Sequence, residues 1–453
     1  VHEVRQAIGQ EAAGLLRTLP RRGYLLAADP AAGEGAAEEA AAAPRPDERD
    51  TPGPGLRRDG IAVLPPSPVT TARPDDVLLL DGVAHDIVSR LARLRSFHVI
   101  ARASAFALRH LAADPRAAGR LLGVAHVVTG TADMLGARIR LCLDLVQVET
   151  GSILWTEDLV ESRDRFLTLL PEITDRIVHA VELRVAAAEA RRALAMPAER
   201  RDAWEHFHAG LHHALRFDPE RIGLALDRMQ VAVDLDPAFA RAHAGKSFCH
   251  YFRAFSGIAA DRAAEIAAAR RTAEEAILSD ETSPSALWAC GRALWLQGDP
   301  EGCLAHCQRS VAISPGFALG HYMVGFVETH CGDPGRGLAG MDHVLSLSPF
   351  DPFLASIQIT KAIALVRLGR METATETARQ AARQPNAHAY PMLLAPAALI
   401  LASAGHVDEA RRIVGKLRET SPGFGAAEVN RSLYRMSDEV AALFRSAAPL
   451  LGL

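Results

Sequence analysis

Leu235-Asp236-Pro237-Ala238-Phe239, Ile313-Ser314-Pro315-Gly316-Phe317, Leu347-Ser348-Pro349-Phe350, Gln384-Pro385-Asn386 and Thr420-Ser421-Pro422-Gly423-Phe424 are five endings of one kind. Each closes a segment of helical periodicity with a proline, which has no N–H to continue a helix and restricts the residue before it. A second mark lies inside the last four segments, at Gly298-Asp299, Gly332-Asp333, Gly369-Arg370 and Gly405-His406. From that glycine to the proline of the ending is 17, 17, 16 and 17 residues, and the ending prolines Pro315, Pro349, Pro385 and Pro422 are 34, 36 and 37 residues apart. A fixed period of this size marks a repeated helix–turn–helix unit that buries its apolar face only by stacking on its neighbours.

Working outward, small residues stand where helices of one pair would cross. The first unit has Ala209-Gly210, Ala225, Met229 and Ala232, and Gly325 follows Gly291 by 34 residues. Cys303 and Cys307 occupy the places that Ala374 and Ala378 hold in a later unit, so packing explains them. The step from Pro237 to Pro284 is 47 residues, and the surplus is expected at 255–261, between the two helices of the second unit. The period resembles that of tetratricopeptide (TPR) repeats over residues 200–424, with 425–453 as a capping segment. That resemblance implies a superhelix whose concave face, made by the first helix of each pair, binds a protein or peptide. His250, Arg253, Trp288, Arg292, His321, Glu328 and Gln358 are the candidate lining residues.

At 453 residues the chain exceeds one compact core, so several domains are expected. Aromatic residues make up only 5%, which favours helix packing through small contacts. A net charge of −4 excludes a globally basic nucleic-acid binder, though not a local basic patch. The six cysteines show no paired-motif spacing and read as reduced thiols. No apolar run reaches the ~20 residues needed to span a bilayer. The expectation is a soluble, cytoplasmic chain without membrane contact.

Residues 59–190 read as an α/β layer. Ile61-Ala62-Val63-Leu64-Pro65 is a short strand, and Val77, Leu80, Val83, Ile87, Leu91 and Leu94 share one helical face. Strand signals recur at Phe97–Ala101, His126–Thr131, Arg138–Val146 and Ile153–Leu159, and 166–185 is a closing amphipathic helix. Ile61-Ala62-Val63-Leu64-Pro65, Gly82-Val83-Ala84-His85-Asp86-Ile87, Gly123-Val124-Ala125-His126-Val127-Val128-Thr129-Gly130 and Thr150-Gly151-Ser152-Ile153-Leu154-Trp155 resemble the TolB-like domain found between a winged helix and TPR repeats in bacterial regulators. The resemblance brings a scaffolding or sensing role and no catalytic residues.

Near the start, Leu16-Arg17-Thr18-Leu19-Pro20-Arg21-Arg22-Gly23-Tyr24 reads as a β-hairpin with two arginines at its tip. It resembles the wing that closes the winged helix-turn-helix domain of OmpR/PhoB-type regulators, and Val4–Gly9 resembles the end of the recognition helix. Only about 28 residues of a domain of ~100 are present. The resemblance implies DNA contact through Arg17, Thr18, Arg21, Arg22 and Tyr24, provided the winged helix is complete. Residues 29–58, rich in Ala, Pro, Glu and Gly, read as a disordered linker.

No phosphate-binding Gly-rich loop and no nucleophile elbow occur. Asp75-Asp76 opens a helix and reads as a cap. His206, His208, His212 and His213 would need further ligands to hold a metal, so a histidine-decorated surface helix is expected. These features together indicate an α+β multidomain chain: a winged-helix remnant, a TolB-like layer and an all-α solenoid. The function expected is a transcriptional regulator acting through DNA and protein contacts, with a signalling scaffold as the alternative; no enzyme, cofactor or metal is expected.

Overall fold

The computed structural model describes residues 16–19, 23–26, 56–69, 73–349, 351–384, 387, 391–420, 423–426, 429 and 436–453. The chain divides into two units, 1–53 and 54–453. In the first, β1 (Leu16–Leu19) and β2 (Gly23–Leu26) pair antiparallel with Thr18 opposite Tyr24, which is the hairpin the sequence predicts. Arg21, Arg22, the recognition-helix segment and nearly all of the linker lie outside the described residues.

The second unit opens with a mixed sheet. Its strands are β3 (Arg57–Val63), β4 (Ser67–Pro68), β5 (His98–Val99), β6 (Val124–Leu135), β7 (Arg138–Gln147) and β8 (Ile153–Ser162). The order is β5-β3-β6-β7-β8, with β4 also pairing β6; β3 runs parallel to β5 and β6, and β6, β7 and β8 are antiparallel. Alternation on β7 decides which face is inside: Ile139, Leu141, Leu143 and Leu145 are buried while Arg138 and Arg140 face out. Helix α1 (Pro74–Leu94) lays Leu80, Val83, Ile87, Leu91 and Leu94 on this face. Asp76 caps α1, accepting from the Arg73 backbone N–H at 3.1 Å. Arg163 and Arg73 beside it hold its carboxyl down to about 2. Two short helices, α2 (Arg102–Ala107) and α3 (Pro115–Leu122), accompany the crossover to β6, and Ala118 packs with Val124 and Val127.

Two boundaries differ from expectation. β3 begins at Arg57, inside the stretch read as linker. The closing helix α4 (Arg163–Ala195) has 33 residues and runs ten past Val185. Its extension is alanine-rich, which favours helix beyond the 166–185 expected.

The array follows with six helix pairs: α5 (Ala203–Ala214) with α6 (Pro219–Leu235), α7 (Ala240–Ser256) with α8 (Arg262–Ser279), α9 (Pro284–Gln297) with α10 (Pro300–Ile313), α11 (Ala318–His330) with α12 (Pro334–Leu347), α13 (Leu354–Arg367) with α14 (Met371–Ala382), and α15 (Pro391–Ser403) with α16 (Val407–Thr420). Helix α17 (Asp438–Ala447) packs on α15. Three of the four ruler glycines end first helices in the left-handed conformation, Gly298 at φ 96°, Gly369 at 70° and Gly405 at 86°, and Gly332 does not. Asp218, Asp261, Asp299 and Asp333 then cap the second helices. The 47-residue step is absorbed mainly by longer helices, since α7 and α8 have 17 and 18 residues where α9 and α10 have 14 each. The first helices of successive pairs pack on one another, so the array curves toward them.

Close approach within pairs explains the small residues. A Cβ on Gly291 would meet Cys307 Sγ at 2.5 Å and the Cys303 carbonyl at 3.0 Å. Cys303 and Cys307 are fully buried in that contact, and burial with the neighbouring thiol pushes Cys303 up. Gly291→Val is expected to lower unfolding free energy by about 1–3 kcal/mol through overpacking; urea denaturation measures it. Burial also holds two core imidazoles, His126 and His330, down to about 4. Their ordinary value is about 6.5, so the unfolded chain binds more protons and stability rises with pH. Their contribution is complete above pH ~6.5 and falls as pH drops toward ~4. The urea midpoint should follow that fall, and His330→Leu should flatten part of it.

Candidate functional site

Helix α4 is shared by two layers. Phe166, Ile173, Ile177, Val181 and Val185 belong to one apolar cluster that continues from the sheet into the array. Its polar side reaches the repeats through paired charges. Asp175 pairs with Arg90 of α1 and lies against Gly316 in the turn before α11. Burial pushes the Asp175 carboxyl up, and Arg90 offsets part of that. His179 approaches Asp351 at 3.5 Å, and Glu182 takes Arg241 of α7 at 3.9 Å and the Ser96 hydroxyl. Arg95 reaches Asp280 at 3.2 Å. At the C-terminal end the Trp204 indole donates to Glu189 at 3.0 Å, and Arg192 and Arg58 both reach Glu205 of α5.

Because α4 stands in front of the first helices without filling the curve, a groove of about 1000 Å³ remains. One wall is β8 and α4, with Trp155, Leu159 and Leu183. The other is built from α5, α7, α9 and α11, with Phe207, Leu211, Phe248, Trp288 and Leu319. Charges of both signs stand among them, including Glu157, Arg176, Glu182 and Arg216. This is a mostly apolar cleft with a few polar groups, the usual character of a binding site.

Phe248 and Phe353 also line a second, smaller cavity of about 70 Å³. Arg292 of α9 faces it, only 8% exposed. Its guanidinium carbon lies 3.6 Å from the Tyr251 ring centre, 4.6 Å from Trp288 and 4.8 Å from Phe248. Its Nε is buried without a hydrogen-bond partner, and no carboxylate pairs with it among the described residues. A desolvated cation–π contact contributes about 2 kcal/mol, against several kcal/mol for taking a cation out of water. The three ring faces offset much of that cost, but they give the buried Nε no hydrogen-bond acceptor.

The seven residues named from the sequence separate into two groups. Trp288 and Arg292 line the groove and the cavity. The others bond to neighbouring helices or turns. His250 and Arg253 both hold Glu265 of α8, at 2.6 and 3.1 Å. His321 bonds the Pro315 carbonyl, Glu328 accepts from the Asp333 N–H, and Gln358 accepts from Gln384. Missed from the sequence were the α4 and β8 residues and the aromatic run Phe248, Tyr251, Phe252 and Phe255. In a chain so poor in aromatics that run was a usable signal. The histidine-rich helix is not a surface helix as expected: His206 and His208 are buried, His208 against the Trp204 and Phe207 rings, and burial holds His208 well below its ordinary value. No group of three metal-ligating side chains occurs among the described residues, nor any helix long and apolar enough to cross a membrane.

No protein-family model matches the chain. A Rhizobium meliloti (strain 1021) protein named "Putative adenylate cyclase 3" is 27% identical over 244 residues, covering 53% of this chain and 41% of its own length. The chain thus spans less than half of that relative. Among solved structures, similarity is found to YrrB, described as a TPR protein with an unusual peptide-binding site. It is 18% identical, with a TM-score of 0.26, over 40% of this chain and 84% of that one. The Cut9–Hcn1 hetero-tetramer of APC/C is 15% identical, with a TM-score of 0.37, over 61% and 48%.

Removing Asp175 strands the Arg90 guanidinium between the layers. Asp175→Ala should cost about 2 kcal/mol, less than the 3–5 of a fully buried pair because both groups keep some solvent. Arg90→Met with Asp175→Leu should recover most of it, read as urea midpoints of the three variants.

Proposed function

We propose that this chain is a protein-interaction scaffold of a signalling complex, and that it receives a protein segment in the groove between α4 and the first helices. The observation that supports this most is the groove itself, about 1000 Å³ with aromatic and aliphatic walls contributed by both layers. A stacked helical array offers such an inner surface to partners. In this reading the α/β layer, whose sequence resembles TolB-like domains, restricts the inner face to segments that fit beside α4. The resemblance to a protein named for a cyclase makes a nucleotide-signalling complex the setting we favour. The chain itself is proposed to be non-catalytic: incubated with ATP and a divalent cation, it should form no cyclic AMP.

A second reading is favoured by the β1–β2 hairpin, which suits a winged-helix wing. In it, Arg17, Thr18, Arg21, Arg22 and Tyr24 contact DNA within a complete winged helix. Duplex binding that weakens steeply with salt would support it, and its absence in the purified chain would leave the scaffold reading alone.

The scaffold reading is tested by groove substitution. Leu183→Arg places a charge on the groove wall of α4, whereas Leu278→Arg changes an outward residue of α8 that is 87% exposed. A partner isolated with the unmodified chain should be lost by Leu183→Arg and kept by Leu278→Arg, with unfolding midpoints matched. Retention of the partner by both variants would overturn the groove as the docking site.

A further inference from the structure

The small cavity beside Arg292 has a character of its own. It holds one cation, buried, already ordered by three ring faces, with its Nε directed to no partner. We propose that this cavity binds a short-chain monocarboxylate, the carboxylate meeting the Arg292 guanidinium and the alkyl end resting on the apolar wall.

Charge, size and lining each narrow the class. Arg292 is the one cationic group among the residues lining the cavity, since burial keeps His330 neutral near pH 7 and its Nδ1 is bonded to the Phe326 carbonyl. A single positive group matches a single negative one, and a phosphate or dicarboxylate would bring a second charge with nothing to meet it. The cavity of about 70 Å³ has room for a small ligand rather than a single water. A planar guanidinium presents paired donors at the spacing of carboxylate oxygens. Tyr322, Ser356 and Thr360 add hydroxyls on the same lining, and the Tyr322 hydroxyl already bonds within that group. Met323, Ile359 and Ile363 supply an apolar patch for two or three carbons. Because the rings hold Arg292 in place beforehand, little side-chain ordering is left for binding to impose.

This site does not require a protein in the neighbouring groove, so partner capture and ligand binding succeed or fail separately. The test titrates the full chain with sodium propionate at constant ionic strength, following tryptophan fluorescence and thermal unfolding. Its neutral isostere propionamide and inorganic phosphate are run alongside. Propionate should bind saturably and raise the unfolding temperature, with propionamide and phosphate at least tenfold weaker. Arg292→Gln should weaken propionate tenfold or more. Equal responses to propionate and propionamide, tighter binding of phosphate, no saturable response to propionate, or unaltered affinity in Arg292→Gln would each overturn the proposal. If Arg292→Gln does not fold, the propionate–propionamide comparison on the unmodified chain decides.

Discussion

A single helix joins the sheet to the repeats in one continuous core. The 33 residues of α4 close the sheet with Phe166, Ile177, Val181 and Val185, and they present Asp175, His179, Glu182 and Glu189 to the repeats. Acidic groups so poorly solvated are tolerated because each meets a donor from another element: Arg90, Arg241 and Ser96, or Trp204. Buried pairs of this kind add little net stability over apolar packing, but losing one partner is costly. Their effect here is to set where α4 lies across the array. The groove between α4 and the first helices exists because that position is held.

The repeats supply the other half of that constraint. Glycines in left-handed turns, aspartates at the next helix start and prolines after the second helix keep each pair close to one length. Small residues at the crossings then bring paired helices together, as Gly325 shows, where a Cβ would lie 2.5 Å from Met341. Curvature toward the first helices follows from stacking such units. The second pair departs from this regularity by lengthening its helices. The longer α7 carries four aromatic residues, of which Phe248 and Tyr251 hold Arg292.

Two concave features stand out among the described residues. The wide groove has mixed charge and apolar walls suited to a polypeptide, and the narrow cavity has one caged cation. They share Phe248 and Phe353, so the two binding features are separated by no more than those rings.

The amino-acid order alone determined the repeat. Proline, glycine and aspartate act through backbone geometry within a few residues, so the six pairs and their caps were legible, as were the alternating strands β6 and β7 and the β1–β2 hairpin. It also marked Trp288 and Arg292 as inner-face residues. Tertiary structure decided what the inner face meets. Nothing local says that His206 and His208 are covered, or that β8 and α4 form the opposite wall. Those outcomes depend on contacts between residues 86 and 172 positions apart, Glu182 with Ser96 and His179 with Asp351, and a periodicity read along the chain carries no information about which distant surfaces meet.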